Sequence, residues 1–169
     1  MSLSIPYKGE IKFLTGQIPD FKSSQQDLVT LIDSLPDFQE NRTPVKGKMT
    51  WWKLHKDYPI ISSLCKHIIN ELYLFQPNNY KHRHKLTIDQ FWAAHYKNDN
   101  HALAHDHYPA LWSGIIYIKS EGSSSPTYFP DCDYKHPADE GTYVVFPGWL
   151  KHSVENGSDN RYVFAFNVS

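Results

Sequence analysis

Cysteine is nearly missing from this chain of 169 residues: Cys65 and Cys132 are the only two. Two distant cysteines make no disulfide framework, so they read as free thiols in a reducing compartment, and the fold has to rest on a packed core. Excess charge is missing too. Seventeen Lys and Arg stand against eighteen Asp and Glu, a formal net charge of -1. That balance leaves no electrostatic footprint for nucleic acid or an anionic membrane surface. No apolar run approaches the roughly 20 residues of a membrane-spanning helix. The first six residues lack a basic stretch followed by an apolar core, so they do not read as a signal peptide. Internal repeats, low-complexity linkers, paired carboxylates and a Ser/His/Asp arrangement are also absent. Their absence argues against repeat architectures and against the common hydrolytic chemistries.

Aromatic residues, prolines and histidines are abundant. Eleven Tyr, nine Phe and five Trp make up 15% of the chain, and eleven Pro and eight Gly punctuate it. This mix favours strands and turns over a helix bundle. The length predicts one domain, residues 1–169. Within it, residues 1–84 would form a helical and strand support, and residues 85–169 a core of strands. Ile11 and Phe13 alternate with polar neighbours as in a short strand. Leu28, Leu31, Ile32 and Leu35 recur at helical spacing, with Ser23 or Ser24 as cap and Pro36 as stop. Residues 39–48 read as a loop, and residues 50–54 as a strand or extended lead-in. A second helical stripe runs through Ile61, Leu64, Ile68 and Leu72, with Asp57 as cap and Pro59 in its first turn. From Lys85 the period becomes two or continuously apolar. Strands are predicted over residues 86–96, 111–119, 127–129, 142–146, 149–154 and 161–168, with turn signals between them. Many short strands separated by turns indicate a sandwich or barrel, with the helices packed outside one sheet.

The chain is organised around His105-Asp106-His107. In an extended strand, residues i and i+2 face the same way, so both imidazoles would grip one ion while Asp106 points away. His152 stands 45 residues after His107, and Arg161 nine residues after that. Two close ligands, one distant ligand and an anion-binding Arg indicate a non-haem iron oxygenase site. Such a site needs three protein ligands on one face of Fe(II) and open positions opposite, usually from two His and one carboxylate. Here His107 occupies the carboxylate position. The alternative second ligand is Asp106, if the chain curls at the strand end; His101 and His95 are further candidates. A planar guanidinium suits bidentate carboxylate binding, which is the reading of Arg161. Trp92, Trp112 and Trp149 read as packing residues or as the rim of an entrance.

Residues 105–167 resemble the small 2-oxoglutarate- and Fe(II)-dependent oxygenases related to prolyl hydroxylases, in particular their short phage and bacterial members. The resemblance rests on His105-x-His107, then Ser113-Gly114 and apolar residues before Tyr117, then Phe146-Pro147-x-x-Leu150-x-His152. It covers about the C-terminal half. It implies a double-stranded β-helix, a cupin-like jelly roll of two facing sheets. It implies that His105, His107 and His152 hold Fe(II). It implies that Tyr96 and Tyr117 help hold 2-oxoglutarate, that Arg161 grips its distal carboxylate, and that Asn167 lines the pocket. Family members often carry Ser two residues after this Arg; Val163 stands there instead. The activity implied is hydroxylation of a small-molecule or peptidyl substrate with dioxygen, releasing succinate and carbon dioxide. A cytoplasmic monomer or homodimer is implied, in the host cell if the chain is phage-encoded. Two rivals keep the same fold. One is a three-His cupin dioxygenase or isomerase that does not use 2-oxoglutarate; the other is a non-enzymatic metal-binding module.

Overall fold

The computed structural model describes residues 10–38, 43–75, 85–97, 99–121, 126–155 and 159–169. Residues 39–42 of the segment read as a loop, and turn signals between the expected strands at 98, 122–125 and 156–158, lie outside the described residues.

The first half supplies β1 (Leu14–Gln17), α1 (Phe21–Ser34), β2 (Val45–Lys46), β3 (Lys48–Met49), α2 (Leu54–Asp57) and α3 (Pro59–Phe75). Eight strands follow: β4 (Ile88–Tyr96), β5 (His101–His105), β6 (Trp112–Glu121), β7 (Thr127–Phe129), β8 (Tyr134–His136), β9 (Thr142–Pro147), β10 (His152–Val154) and β11 (Asp159–Val168). They form two antiparallel sheets. The larger runs β1-β9-β6-β11-β4-β3 and the smaller β2-β5-β10-β7-β8. This is the expected double-stranded β-helix with flanking helices.

Strand alternation assigns the two faces of the larger sheet. Phe91, Ala93, Ile116, Ile118, Tyr143, Val145, Phe164 and Phe166 face outward and pack against Leu28, Ile32, Ile61, Leu64, Ile68 and Leu72 of α1 and α3. Trp92, Ala94, Tyr96, Ile115, Tyr117, Val144, Phe146 and Val163 face inward, toward Ala102, Phe129 and Val154 of the smaller sheet. Each fully buried large side chain contributes about 1.5–3 kcal/mol. Gly114 is required by this packing, because a Cβ there would collide with the Phe166 ring.

Several local readings need correction. The first strand begins at Leu14, one step after Phe13. α1 starts at Phe21, earlier than a Ser cap would allow; the Ser23 hydroxyl instead donates to the Asp20 carbonyl, 2.7 Å away. Burial of Phe21 against the sheet draws the helix start back. Asp57 does not cap the long helix but ends the short α2, and α3 begins at Pro59. The described part of the segment read as a loop over 39–48 carries β2, at the edge of the smaller sheet, and the start of β3, at the edge of the larger. Residues 149–151 are a turn, so β10 starts at His152. β8 was not among the expected strands.

Candidate metal centre

The three histidines meet at the open end of the space between the sheets. His105 is the last residue of β5 and His152 the first of β10, and the two are directly paired. The pairing then slips: Val154 pairs with Ala102, two residues on one strand against three on the other. This bulge turns His105 onto the same inner face as Ala102. His107 lies beyond the strand. The expectation from the spacing, that alternation along one strand brings the pair together, is therefore corrected: a bulge and a stitched loop bring it together. The His107 amide donates to the Gly148 carbonyl at 2.7 Å, and the Gly148 amide donates to the Leu111 carbonyl at 3.0 Å. A Cβ on Gly148 would run into the Ala110 carbonyl, so only glycine permits this close approach.

One ring nitrogen from each of His105, His107 and His152 lies within 4.8 Å of the others, a grouping able to hold a metal ion. The ring centroids are 4.4 Å apart for His105 and His152, 5.0 Å for His105 and His107, and 5.1 Å for His107 and His152. Asp106 is not in the group; its carboxylate accepts the Tyr108 amide at 3.1 Å. His101 and His95 are also outside it. His95 lies on the outer face, where its ring stacks on Tyr162 at 3.6 Å.

Hydrogen bonds orient the rings. His105 Nδ1 lies 2.7 Å from the Leu103 carbonyl and His152 Nδ1 lies 3.4 Å from the Leu150 carbonyl. A carbonyl can only accept, so Nδ1 carries the proton and Nε2 keeps its lone pair for a metal. Burial, reinforced by the neighbouring imidazoles, pushes His107 down to about 4 and His152 well below the usual imidazole value. Burial also lowers His105, opposed by the Leu103 carbonyl and Asp106. All three are therefore neutral and ready to ligate near neutral pH.

Arg161 lies deeper in the same space and is fully buried, with 0% exposure. Its guanidinium carbon sits 5.4 Å from the ring centres of both Tyr96 and Tyr117, a cation between two aromatic faces. Nη2 donates to Thr127 Oγ1 at 2.9 Å, and the Tyr117 hydroxyl is 2.8 Å from the same oxygen. Among the described residues Nε and Nη1 have no hydrogen-bond partner. Among the described residues no carboxylate pairs with this cation. A buried charge with two unsatisfied N–H groups is costly on its own and becomes favourable when an anion fills the gap. A single cavity touches the three histidines and Arg161, with Tyr96, Ala94, Val163 and Ala165 along its wall. The donor set and the orphaned guanidinium thus fit a divalent metal with a carboxylate-bearing ligand.

Two expected residues are placed differently. Tyr117 does not line this cavity but buttresses Arg161 and Thr127. Asn167 sits behind the histidines, bonded to Ser113 and Gln90, each at 2.7 Å. Thr127 and Gln90 escaped the sequence reading as site residues, and Ser113 entered it only as part of the Ser113-Gly114 motif, since Thr, Ser and Gln carry no ligand spacing. Val163, where a Ser is usual, pointed only to a hydrogen bond that is absent or comes from Tyr96 or Tyr117; Thr127, bonded to Arg161 Nη2, was not foreseen. Trp149 is 46% exposed and Tyr108 80%, beside the loop that carries His107, while Trp92 packs 5.7 Å from the His107 ring.

No family model matches the sequence, and no curated protein matches it. Solved structures do match. The viral collagen prolyl hydroxylase of Paramecium bursaria Chlorella virus-1, in its 2-oxoglutarate complex, superposes with TM-score 0.67 at 18% identity, over 92% of this chain and 94% of that one. A Pseudomonas putida prolyl-4-hydroxylase gives 0.70 at 9% identity, over 92% and 91%. SnoN, a non-haem alpha-ketoglutarate-dependent epimerase from nogalamycin biosynthesis, gives 0.67 at 10% identity, over 93% and 77%. At these identities the likeness concerns the fold.

Proposed function

We propose that the chain is a 2-oxoglutarate- and Fe(II)-dependent dioxygenase that hydroxylates a small-molecule or peptidyl substrate, with release of succinate and carbon dioxide. His105, His107 and His152 would hold the iron. Arg161, braced by Thr127, would take the distal carboxylate of 2-oxoglutarate on Nε and Nη1, with Tyr96 at the cavity wall and Tyr117 supporting the guanidinium. The carrying observation is that wholly buried guanidinium, with Nε and Nη1 unsatisfied among the described residues, on the cavity that also touches the three imidazoles. When bound, iron and 2-oxoglutarate supply the oxidative chemistry with dioxygen. The protein's part is to orient the two groups and to keep water away with an apolar wall. No general base is needed.

The fold neighbours support this reading: one is a 2-oxoglutarate complex and two are prolyl hydroxylases by name. The rival three-His centre that does without 2-oxoglutarate leaves Arg161 with no ligand. The test is succinate formation from 2-oxoglutarate with Fe(II) under air, over a panel of candidate substrates, followed by product mass. Succinate with one oxygen atom gained by the substrate is expected. Succinate with an isomeric product of unchanged mass would replace hydroxylation by epimerisation. Absence of succinate throughout, even without substrate coupling, would overturn the assignment.

A further inference from the structure

We infer that Asn167 is a positioning residue that sets the ligating tautomer of His107 through an amide network with Gln90 and Ser113. The inference rests on the metal-site reading above. His105 and His152 each have a backbone carbonyl at Nδ1, two residues back. His107 has none. Among the described residues, the polar group recorded within reach of its Nδ1 is the Asn167 amide, at 3.5 Å.

The sense of that contact decides what His107 can do. With the amide nitrogen Nδ2 toward Nδ1, the imidazole nitrogen must accept. The ring proton then sits on Nε2, and Nε2 cannot ligate. With the amide oxygen there, Nδ1–H donates, and Nε2 is free. The surrounding bonds allow both. The Ser113 hydroxyl, 2.7 Å from Oδ1, can donate or accept. The Gln90 amide, 2.7 Å from Nδ2, offers either its oxygen or its nitrogen when it turns over. Turning the Asn167 and Gln90 amides together keeps every partner bonded and reverses the direction of the chain. Metal at the three imidazoles would select the sense in which Oδ1 faces His107. Asn167 and Ser113 are buried, so this network holds the ring from behind, out of solvent. Asn167 also shares the inner face of β11 with Arg161, so one strand braces the metal end and clamps the far end of the cavity.

The test is cobalt(II) affinity by chelator competition, with the His107 tautomer read from imidazole nitrogen NMR of the zinc(II)-loaded protein. Asn167→Leu removes the acceptor and is expected to weaken cobalt(II) by about 10–100-fold. Asn167→Asp offers an acceptor in every orientation and is expected to bind at least as tightly as wild type. Gln90→Glu is the discriminating variant. Its carboxylate only accepts, so it pins Asn167 Nδ2 away from Ser113 and disfavours the ligating tautomer. It is expected to weaken cobalt(II), although an added negative charge alone would tighten it. Wild-type affinity in Asn167→Leu, equal weakening in Asn167→Leu and Asn167→Asp, or tightening in Gln90→Glu would each overturn the inference while leaving the metal site standing. Failure of the wild type itself to bind cobalt(II) would overturn the metal-site reading and the inference with it.

Discussion

Arg161 separates the possible chemistries more sharply than the histidines do, because three imidazoles alone serve many metal enzymes. Truncating it removes the one buried cation on the cavity and leaves a bound carboxylate unpaired, at a cost of about 2–5 kcal/mol. Arg161→Ala is therefore expected to raise the 2-oxoglutarate dissociation constant by about two orders of magnitude, measured by calorimetry on the metal-loaded protein. Metal affinity should stay near wild type, since no imidazole is touched; unchanged 2-oxoglutarate affinity would remove Arg161 from the site. Thr127→Val tests the brace, and loss of the hydrogen bond from the charged guanidinium should weaken 2-oxoglutarate by about tenfold or more. At the metal end, His107→Ala is expected to abolish stoichiometric cobalt(II) binding in equilibrium dialysis, while Asp106→Ala retains it. The reverse result would restore Asp106 as the ligand. The bringing together of His105, His107, His152 and Arg161 was legible from residue type and spacing. The roles of their supports were not: Thr127, Gln90 and Ser113, the last named only within a motif, act through side-chain hydrogen bonds, which leave no mark in a linear pattern.

Among the elements, the ends of strands matter more than their middles. The long strands β4, β6, β9 and β11 are buried on both faces, and their apolar runs announced them within two residues. β2, β3 and β8 are two or three residues long, too short for any period to show. β5 misled more instructively: alternation put His105 and His107 on one face, whereas the bulge and the 106–111 loop bring them together. That loop hangs on Gly148, which gives a test at this scale. Gly148→Ala forces the Ala110 carbonyl and the Pro147 turn apart, and should shift His107 relative to His152. Cobalt(II) affinity is expected to fall by more than about tenfold with the far-ultraviolet spectrum unchanged. Wild-type affinity would show that the stitch is not needed for the site.

Across the whole molecule, the smaller sheet and the loop after β5 hold three neutral imidazoles in a cluster of one buried and two half-buried rings, and this ties stability to pH. His107 titrates at about 4 in the fold, against about 6.5 for an exposed imidazole. The unfolded chain thus binds more protons between these values. The stability contributed is present above about pH 6.5 and is lost as pH falls toward 4. The melting temperature of the metal-free protein should fall over that window, and His107→Phe should lessen the fall; a flat profile would contradict the burial of the cluster. The helices outside the larger sheet were legible as stripes, although their caps were displaced by the pull of Phe21 and Tyr58 into the core. The central claim is that one cavity takes both a metal and 2-oxoglutarate. It is tested most directly by titrating 2-oxoglutarate into the anaerobic Fe(II)-loaded protein and following the visible metal-to-ligand charge-transfer band. A saturable band, absent when His152 is replaced by Ala, is the predicted result; no band in the iron-loaded wild type would contradict it.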